Sequence, residues 1–169
     1  MHIRRLTPAD ATSFQALRLA ALQDTPTAFG SSFEEERYFP ASTIKGRLAI
    51  KPDRGPFGAF EGETLVGLVA LGRESMKKLA HKALIWGMYV KPDHRGKGIG
   101  KALLVEALSL ARSVPELRQV NLCVNAGNAE AIHLYQSAGF KVFGREPGAM
   151  RINGELHDEL HMYLRLTDA

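Results

Sequence analysis

The sequence predicts a domain of the α/β (α+β) class, and three observations carry that expectation. Apolar residues recur at helical three- and four-residue steps near the N-terminus. From Phe57 the period changes to extended runs. A glycine-rich turn then opens an alternation of helix, strand and helix behind a strand. With 169 residues, 45% of them hydrophobic, the chain can bury one real core, so a single domain over residues 1–169 is expected.

Taken in order, Ile3 to Leu6 reads as a short strand, followed by a helix start with Thr7 as N-cap, Pro8 at the first helical position and Asp10 in the first turn. Ala11, Phe14, Leu17, Ala21 and Leu22 form the buried stripe of that helix, and Gln15 and Arg18 are expected to face water. Ser32 and Glu35 have the spacing of a capping box, which opens a short acidic helix around Glu34-Glu35-Glu36 that Pro40 interrupts. A further helix is expected from Ala41 to Ile50, and Lys51 to Pro56 is a loop by its breakers. Phe57–Phe60 and Leu65–Leu71 form a hairpin about Glu61-Gly62-Glu63, and Ala83–Val90 is a third strand. Gly87 inside that strand permits a bulge or a close approach. A strong helical stripe from Ala102 to Ala111 ends before Pro115, and a strand over Val120–Val124 follows. The next helix, Ala129–Ala138, closes at Gly139. The tail is a hairpin turning at Asn153-Gly154, a favoured type I′ pair, with Leu156, Leu160, Met162, Leu164 and Leu166 on one face of the last strand.

A formal charge of +4 favours anionic ligands, but no Lys/Arg block interleaved with aromatics marks a nucleic-acid surface. A small anion such as a nucleotide cofactor fits better. No apolar stretch approaches the roughly 20 residues that span a bilayer, and the N-terminus lacks the apolar middle of a secretory signal. Cys123 is the only cysteine, which suits a reducing cytoplasm, the expected compartment.

The decisive stretch is Val90-Lys91-Pro92-Asp93-His94-Arg95-Gly96-Lys97-Gly98-Ile99-Gly100-Lys101, passing from strand through a turn into a long helix. Glycines let successive N–H groups point into one concavity, and the helix N-terminus adds its positive dipole end. Arg95, Lys97 and Lys101 supply cations able to make charge-assisted bonds to phosphate. The spacing is neither that of a P-loop nor the G-x-G-x-x-G of a dinucleotide fold.

Arg95-Gly96-Lys97-Gly98-Ile99-Gly100 resembles the R/Q-x-x-G-x-G/A signature of the GNAT (GCN5-related) N-acetyltransferases, and Asn128 to Phe140 is similar to that family's N-x-x-A-x-x-x-Y-x-x-x-G-F. The resemblance covers Leu65 to Leu166. It implies a GNAT fold with a mixed, mostly antiparallel sheet of about seven strands flanked by helices on both sides. It further implies acetyl-CoA as co-substrate, a primary amine as acceptor and no metal; homodimerisation is a habit of such enzymes. Met88, Tyr89 and Val90 match the splayed strand whose backbone takes the pantetheine amides. The amides from Lys97 through Gly98, Ile99 and Gly100 to Lys101 match the pyrophosphate cradle beside Arg95 and Gly96. Asn128 and Ala131 match contacts to the pantetheine end, although Asn128 reads equally well as the N-cap of its helix.

Tyr135 matches the tyrosine that protonates the departing thiolate, against a plain reading as a core aromatic on the face of Ala131, Leu134 and Ala138. Some members carry a basic glutamate at positions that here are Leu84 and Cys123. Glu35, within the acidic run of the acceptor-side segment, is the substitute candidate, though its capping role already accounts for it. Cys123 as an acyl-accepting nucleophile competes with a plain reading as a small buried residue. His157, Glu159 and His161 alternate on one strand, a spacing that suits metal ligands but equally a polar face. The missing glutamates keep a non-catalytic acyl-CoA-binding domain as the rival reading, and succinyl- or propionyl-CoA as rival donors.

Overall fold

The computed structural model describes residues 1–166. Seven strands form one sheet in the order β1-β2-β3-β4-β5-β7-β6. They are β1 His2–Arg5, β2 Gly55–Glu61, β3 Thr64–Arg73, β4 Lys82–Val90, β5 Gln119–Asn125, β6 Lys141–Ile152 and β7 Glu155–Arg165. Every pairing is antiparallel except that of β4 with β5. The helices are α1 Ala11–Asp24, α2 Phe33–Glu36, α3 Ala41–Arg47, α4 Ile99–Ser113 and α5 Ala129–Ser137.

The sheet separates two apolar cores. On one face, Ile99, Leu103, Leu104 and Leu108 of α4 and Tyr135 of α5 pack against Val66, Ile85, Leu122, Val124 and Met162. On the other, Phe14, Leu17 and Leu22 of α1 and Ile44 of α3 close over Leu65, Leu68 and Tyr89. Each large apolar side chain so buried contributes about 1.5–3 kcal/mol, which holds the helices to both faces.

The parallel contact of β4 with β5 is short. Lys82 to Leu84 pair with Gln119 to Asn121, and beyond them the two strands part. Gly87 produces the divergence locally: its φ of +68° and the register shift between Leu68↔Tyr89 and Ala70↔Trp86 make a bulge in β4. The bulge anticipated from Gly87 is therefore present, and it lies beside the wedge between β4 and β5.

Five expectations need correcting. Arg18 does not face water: it is 5% exposed and paired with Glu36, which is fully buried. Gln15, too, turns inward and donates to the Glu36 carbonyl at 2.9 Å. The helix expected to reach Ile50 stops at Arg47. Finally, Leu156 is 68% exposed although Met162 on the same alternation is buried, because a register break between Glu146 and Met150 separates the hairpin tip from the core. Cys123, read as buried, is exposed. The Thr7 helix start, the Ser32–Glu35 capping box and the turn formed as expected: Glu35 accepts from the Ser32 N–H at 2.9 Å, Asn153 and Gly154 both have positive φ, and at Thr7 the structure adds a second capping box, Asp10 accepting from the Thr7 N–H at 2.8 Å.

Candidate active site

Two cavities flank the wedge between β4 and β5 and meet at Met88, Asn128 and Ala131, which line both. The first, of about 400 Å³, runs over the start of α4 and is lined by Met88, Tyr89, Val90, Arg95, Gly96, Gly98, Ile99, Gly100 and Lys101. Gly98 is the N-cap of α4 with φ +77°, a left-handed conformation that costs a residue with a Cβ about 1–2 kcal/mol. The loop thus lines the cavity at the end of a fifteen-residue helix where its dipole is positive.

Of the cations expected here, Lys101 lines the cavity, Lys97 does not, and Arg95 is already engaged. The Arg95 guanidinium pairs with Asp24 of α1 and donates to the Val90 carbonyl at 3.0 Å, and its plane lies over the Tyr89 ring. The Tyr89 hydroxyl donates to the same Asp24 carboxylate at 3.1 Å. Arg95 therefore ties the end of β4 to α1 and fixes the loop from behind. Asn128 caps α5, its carbonyl oxygen accepting from the Ala131 N–H at 3.1 Å, so its NH₂ group remains available to a ligand.

The second cavity, of about 520 Å³, opens on the opposite side of that meeting point. Tyr135 reaches it from α5, Arg18 and Arg47 from α1 and α3, Trp86 and Gly87 from β4, and Cys123 and Glu159 from β5 and β7. Tyr135 is 6% exposed and packs edge-on against Phe140. Burial pushes its phenol up to about 12, so it stays protonated at any physiological pH. Glu159 stands in register with Asn125 and is the carboxylate that lines this cavity. Glu35 lines neither cavity; it lies in a third depression between α2 and the β6–β7 turn, its carboxylate held by the Ser32 N–H and hydroxyl.

Cys123, His161 and Glu146 form a chain: Sγ lies 3.4 Å from His161 Nδ1, and Nε2 lies 2.9 Å from the Glu146 carboxylate. Although the residue is exposed, its surroundings partly strip water from the sulfur, and this desolvation, then the charges of Glu159 and Glu146, push the Cys123 thiol up, which disfavours the thiolate that a nucleophile needs. Among the described residues no group of three or more His, Cys, Asp and Glu side chains could hold a metal ion. No helix of the described residues is long and apolar enough to cross a membrane.

The chain is similar to known proteins. The model of the acetyltransferase (GNAT) family matches residues 16–140, about three quarters of the chain. The chain belongs to the GNAT family. Among curated GNAT relatives, the N-alpha-acetyltransferase RimI of Mycobacterium tuberculosis is 32% identical over 116 residues, covering 69% of this chain and 70% of that one. Spermidine N(1)-acetyltransferase of Vibrio cholerae is 30% identical over 102 residues, covering 60% of this chain and 57% of that one, so the chain spans little more than half of its length. Of solved structures, yncA of Salmonella typhimurium, determined with its cofactor acetyl-CoA, superposes with a TM-score of 0.85 at 23% identity, covering 100% of this chain and 95% of that one. That likeness concerns the GNAT fold.

Arg18 and Arg47 were not among the site residues expected from the sequence, and Glu159 was weighed there only as a metal ligand. For Arg18 a signal existed: it stands four residues after Phe14 and four before Leu22, on the apolar stripe itself. Glu159 enters the site only through the β5–β7 register, which no local pattern encodes.

Proposed function

We propose that the protein is an acetyl-CoA-dependent N-acetyltransferase that transfers the acetyl group to a primary amine by direct attack. The observation that carries this reading is the meeting of the two cavities at Met88, Asn128 and Ala131, with the helix-capping glycine loop at the far end of one and Tyr135 in the other. The names of the GNAT relatives, a spermidine N(1)-acetyltransferase and an N-alpha-acetyltransferase, support the reaction class.

On this reading the α4 N-terminus, the loop amides around Gly98 and the Lys101 ammonium hold the pyrophosphate of acetyl-CoA. The pantetheine arm lies in the wedge along Met88 to Val90, its amides meeting backbone groups that β5 leaves unpaired, beside the Asn128 NH₂. Arg95 acts on the cofactor through the loop it fixes. The amine enters from the other cavity. Its nitrogen attacks the thioester carbonyl, a C–N bond forms, the oxyanion is met by a backbone N–H near Met88, the C–S bond breaks, and the amide and the free thiol of CoA leave. An acceptor that arrives as the ammonium first gives one proton to Glu159, directly or through water, so that the nitrogen attacks as the neutral amine and keeps one proton to pass to the leaving sulfur. A phenol at about 12 is a weaker acid than a thiol, so Tyr135 donates a hydrogen bond to the developing thiolate and relays the nitrogen's proton rather than losing its own outright. Cys123 remains a thiol at the cavity wall. The single cysteine of the chain suits a cytoplasmic setting, where acetyl-CoA is available.

The test is release of free thiol from acetyl-CoA in the presence of amines, with succinyl- and propionyl-CoA as competing donors. Amine-dependent thiol release, fastest with acetyl-CoA, is expected. Tight CoA binding without thiol release for any amine would favour a non-catalytic acyl-CoA-binding domain.

A further inference from the structure

The cavity that receives the acceptor contains a guanidinium that the rest of the protein satisfies only in part. Glu36 accepts from Arg18 Nε at 3.1 Å and Nη2 at 2.9 Å, and from Arg47 Nη1 at 3.0 Å. One carboxylate therefore serves two guanidiniums and leaves one positive charge over. Arg18 Nη1, on a side chain 5% exposed, is buried with no hydrogen-bond partner. The rings of Phe29 and Trp86 lie 4.7 and 6.0 Å from the Arg18 guanidinium carbon; they shelter the cation but supply no oxygen to the N–H groups of Nη1. A buried, unsatisfied charged donor is costly, and a protein that keeps one in a cavity presents it to something.

Its position is given by Gly87. A Cβ placed on that residue would stand 3.8 Å from Nη1, so the free donor lies beside the bulge, one residue from Met88, where the two cavities meet. Arg47, lining the same cavity and a quarter exposed, adds a second guanidinium. Glu159 stands on the wall built by β5 and β7.

We propose, on the basis of the acetyltransferase reading above, that Arg18 and Arg47 form an anion anchor and that the acceptor is an amine bearing a carboxylate close to its reactive nitrogen, namely a free α-amino acid. The anchor takes the carboxylate and Glu159 faces the amine. Because Nη1 lies beside the bulge where the two cavities meet, carboxylate and nitrogen are separated by one or two bonds of carbon skeleton. A peptide N-terminus lacks that charge, and a polyamine would bring further cations toward two guanidiniums. The apolar walls of Phe29, Leu84 and Trp86 suit an apolar side chain.

Calorimetric titration of the CoA-saturated protein with leucine, methionine and phenylalanine, each against its carboxamide, tests the anchor without requiring turnover. At least one amino acid is expected to bind ten-fold or more tightly than its amide. In Arg47→Met, which keeps Arg18 paired with Glu36, that ratio is expected to fall at least three-fold. The ratio is taken on one protein sample, so partial unfolding cancels. Equal binding of acid and amide, absence of binding by all three acids, or tighter binding of spermidine would overturn the anchor. Thiol release from acetyl-CoA then judges the enzyme separately: turnover of amides or polyamines without acid preference sinks the anchor alone, and acid preference without any turnover sinks the acetyltransferase reading alone.

Discussion

Glu36 shows how much one side chain can decide. Burial alone pushes its carboxyl up, but the hydrogen bonds and charges of Arg18 and then Arg47 outweigh that and hold it below the usual carboxylate range. Replacing it by Gln leaves two guanidiniums over the acceptor cavity without a counter-charge. We expect Glu36→Gln to lower unfolding stability by about 3–5 kcal/mol, the cost of breaking a buried ion pair, read from urea denaturation. The acidic run Glu34-Glu35-Glu36 would favour a cationic acceptor only if all three residues formed one surface. The fold divides it: Glu35 caps α2 outside both cavities, and Glu36 is neutralised inside. Local sequence could identify the cap, since Ser32 and Glu35 sit three apart, but not the neutralisation, since the partners of Glu36 lie 18 and 11 residues away.

Among elements, the strand-turn-helix around α4 was the most legible because its chemistry is local. Glycines at positive φ, a helix start and a lysine one turn on are all written within twelve residues, and the structure assembles them around one cavity. Gly98 has open space where a Cβ would go but a φ of +77°, so Gly98→Ala introduces strain without a clash. The expected result is about 1–2 kcal/mol of lost stability by thermal or urea unfolding, and acetyl-CoA binding weakened up to about ten-fold as the loop amides turn away. Ser32→Ala removes the reciprocal cap of α2 and is expected to cost about 1 kcal/mol in the same denaturation assay. What stayed illegible at this scale was long-range: the bulge could be expected from Gly87, but its consequence, parallel pairing that ends at Leu84, depends on β5 lying beside β4.

For the molecule as a whole, several carboxylates are held down by partners, so stability depends on acid. The Arg4 hydrogen bond, countered by burial and joined by the Thr7 N–H, takes Asp10 down to about 2, and Glu36 and Asp158 are lowered as well. Groups depressed in the folded state contribute fully above the unfolded carboxylate range near 4 and lose that contribution as pH falls through their folded values. Urea midpoints are therefore expected to be flat from pH 7 to 5 and to fall steeply from pH 4 toward 2, with Asp10→Asn making that fall shallower. The overall class was legible from periodicity and two spaced motifs. The acceptor side was not, because it is assembled from α1, α3, β4, β5 and β7, whose side chains converge only in the folded chain.

The central claim is that the cleft where the two cavities meet transfers an acetyl group with Tyr135 beside the departing sulfur. Its most direct test compares wild type with Tyr135→Phe under saturating acetyl-CoA and the best amine, measuring kcat by thiol release and CoA affinity by equilibrium titration. We predict a fall in kcat of about 10²-fold or more with CoA affinity unchanged, and no alkaline downturn from this group up to pH 10 in the wild type. A variant that turns over at the wild-type rate would contradict the account, and Tyr135 would then be a core aromatic and nothing more.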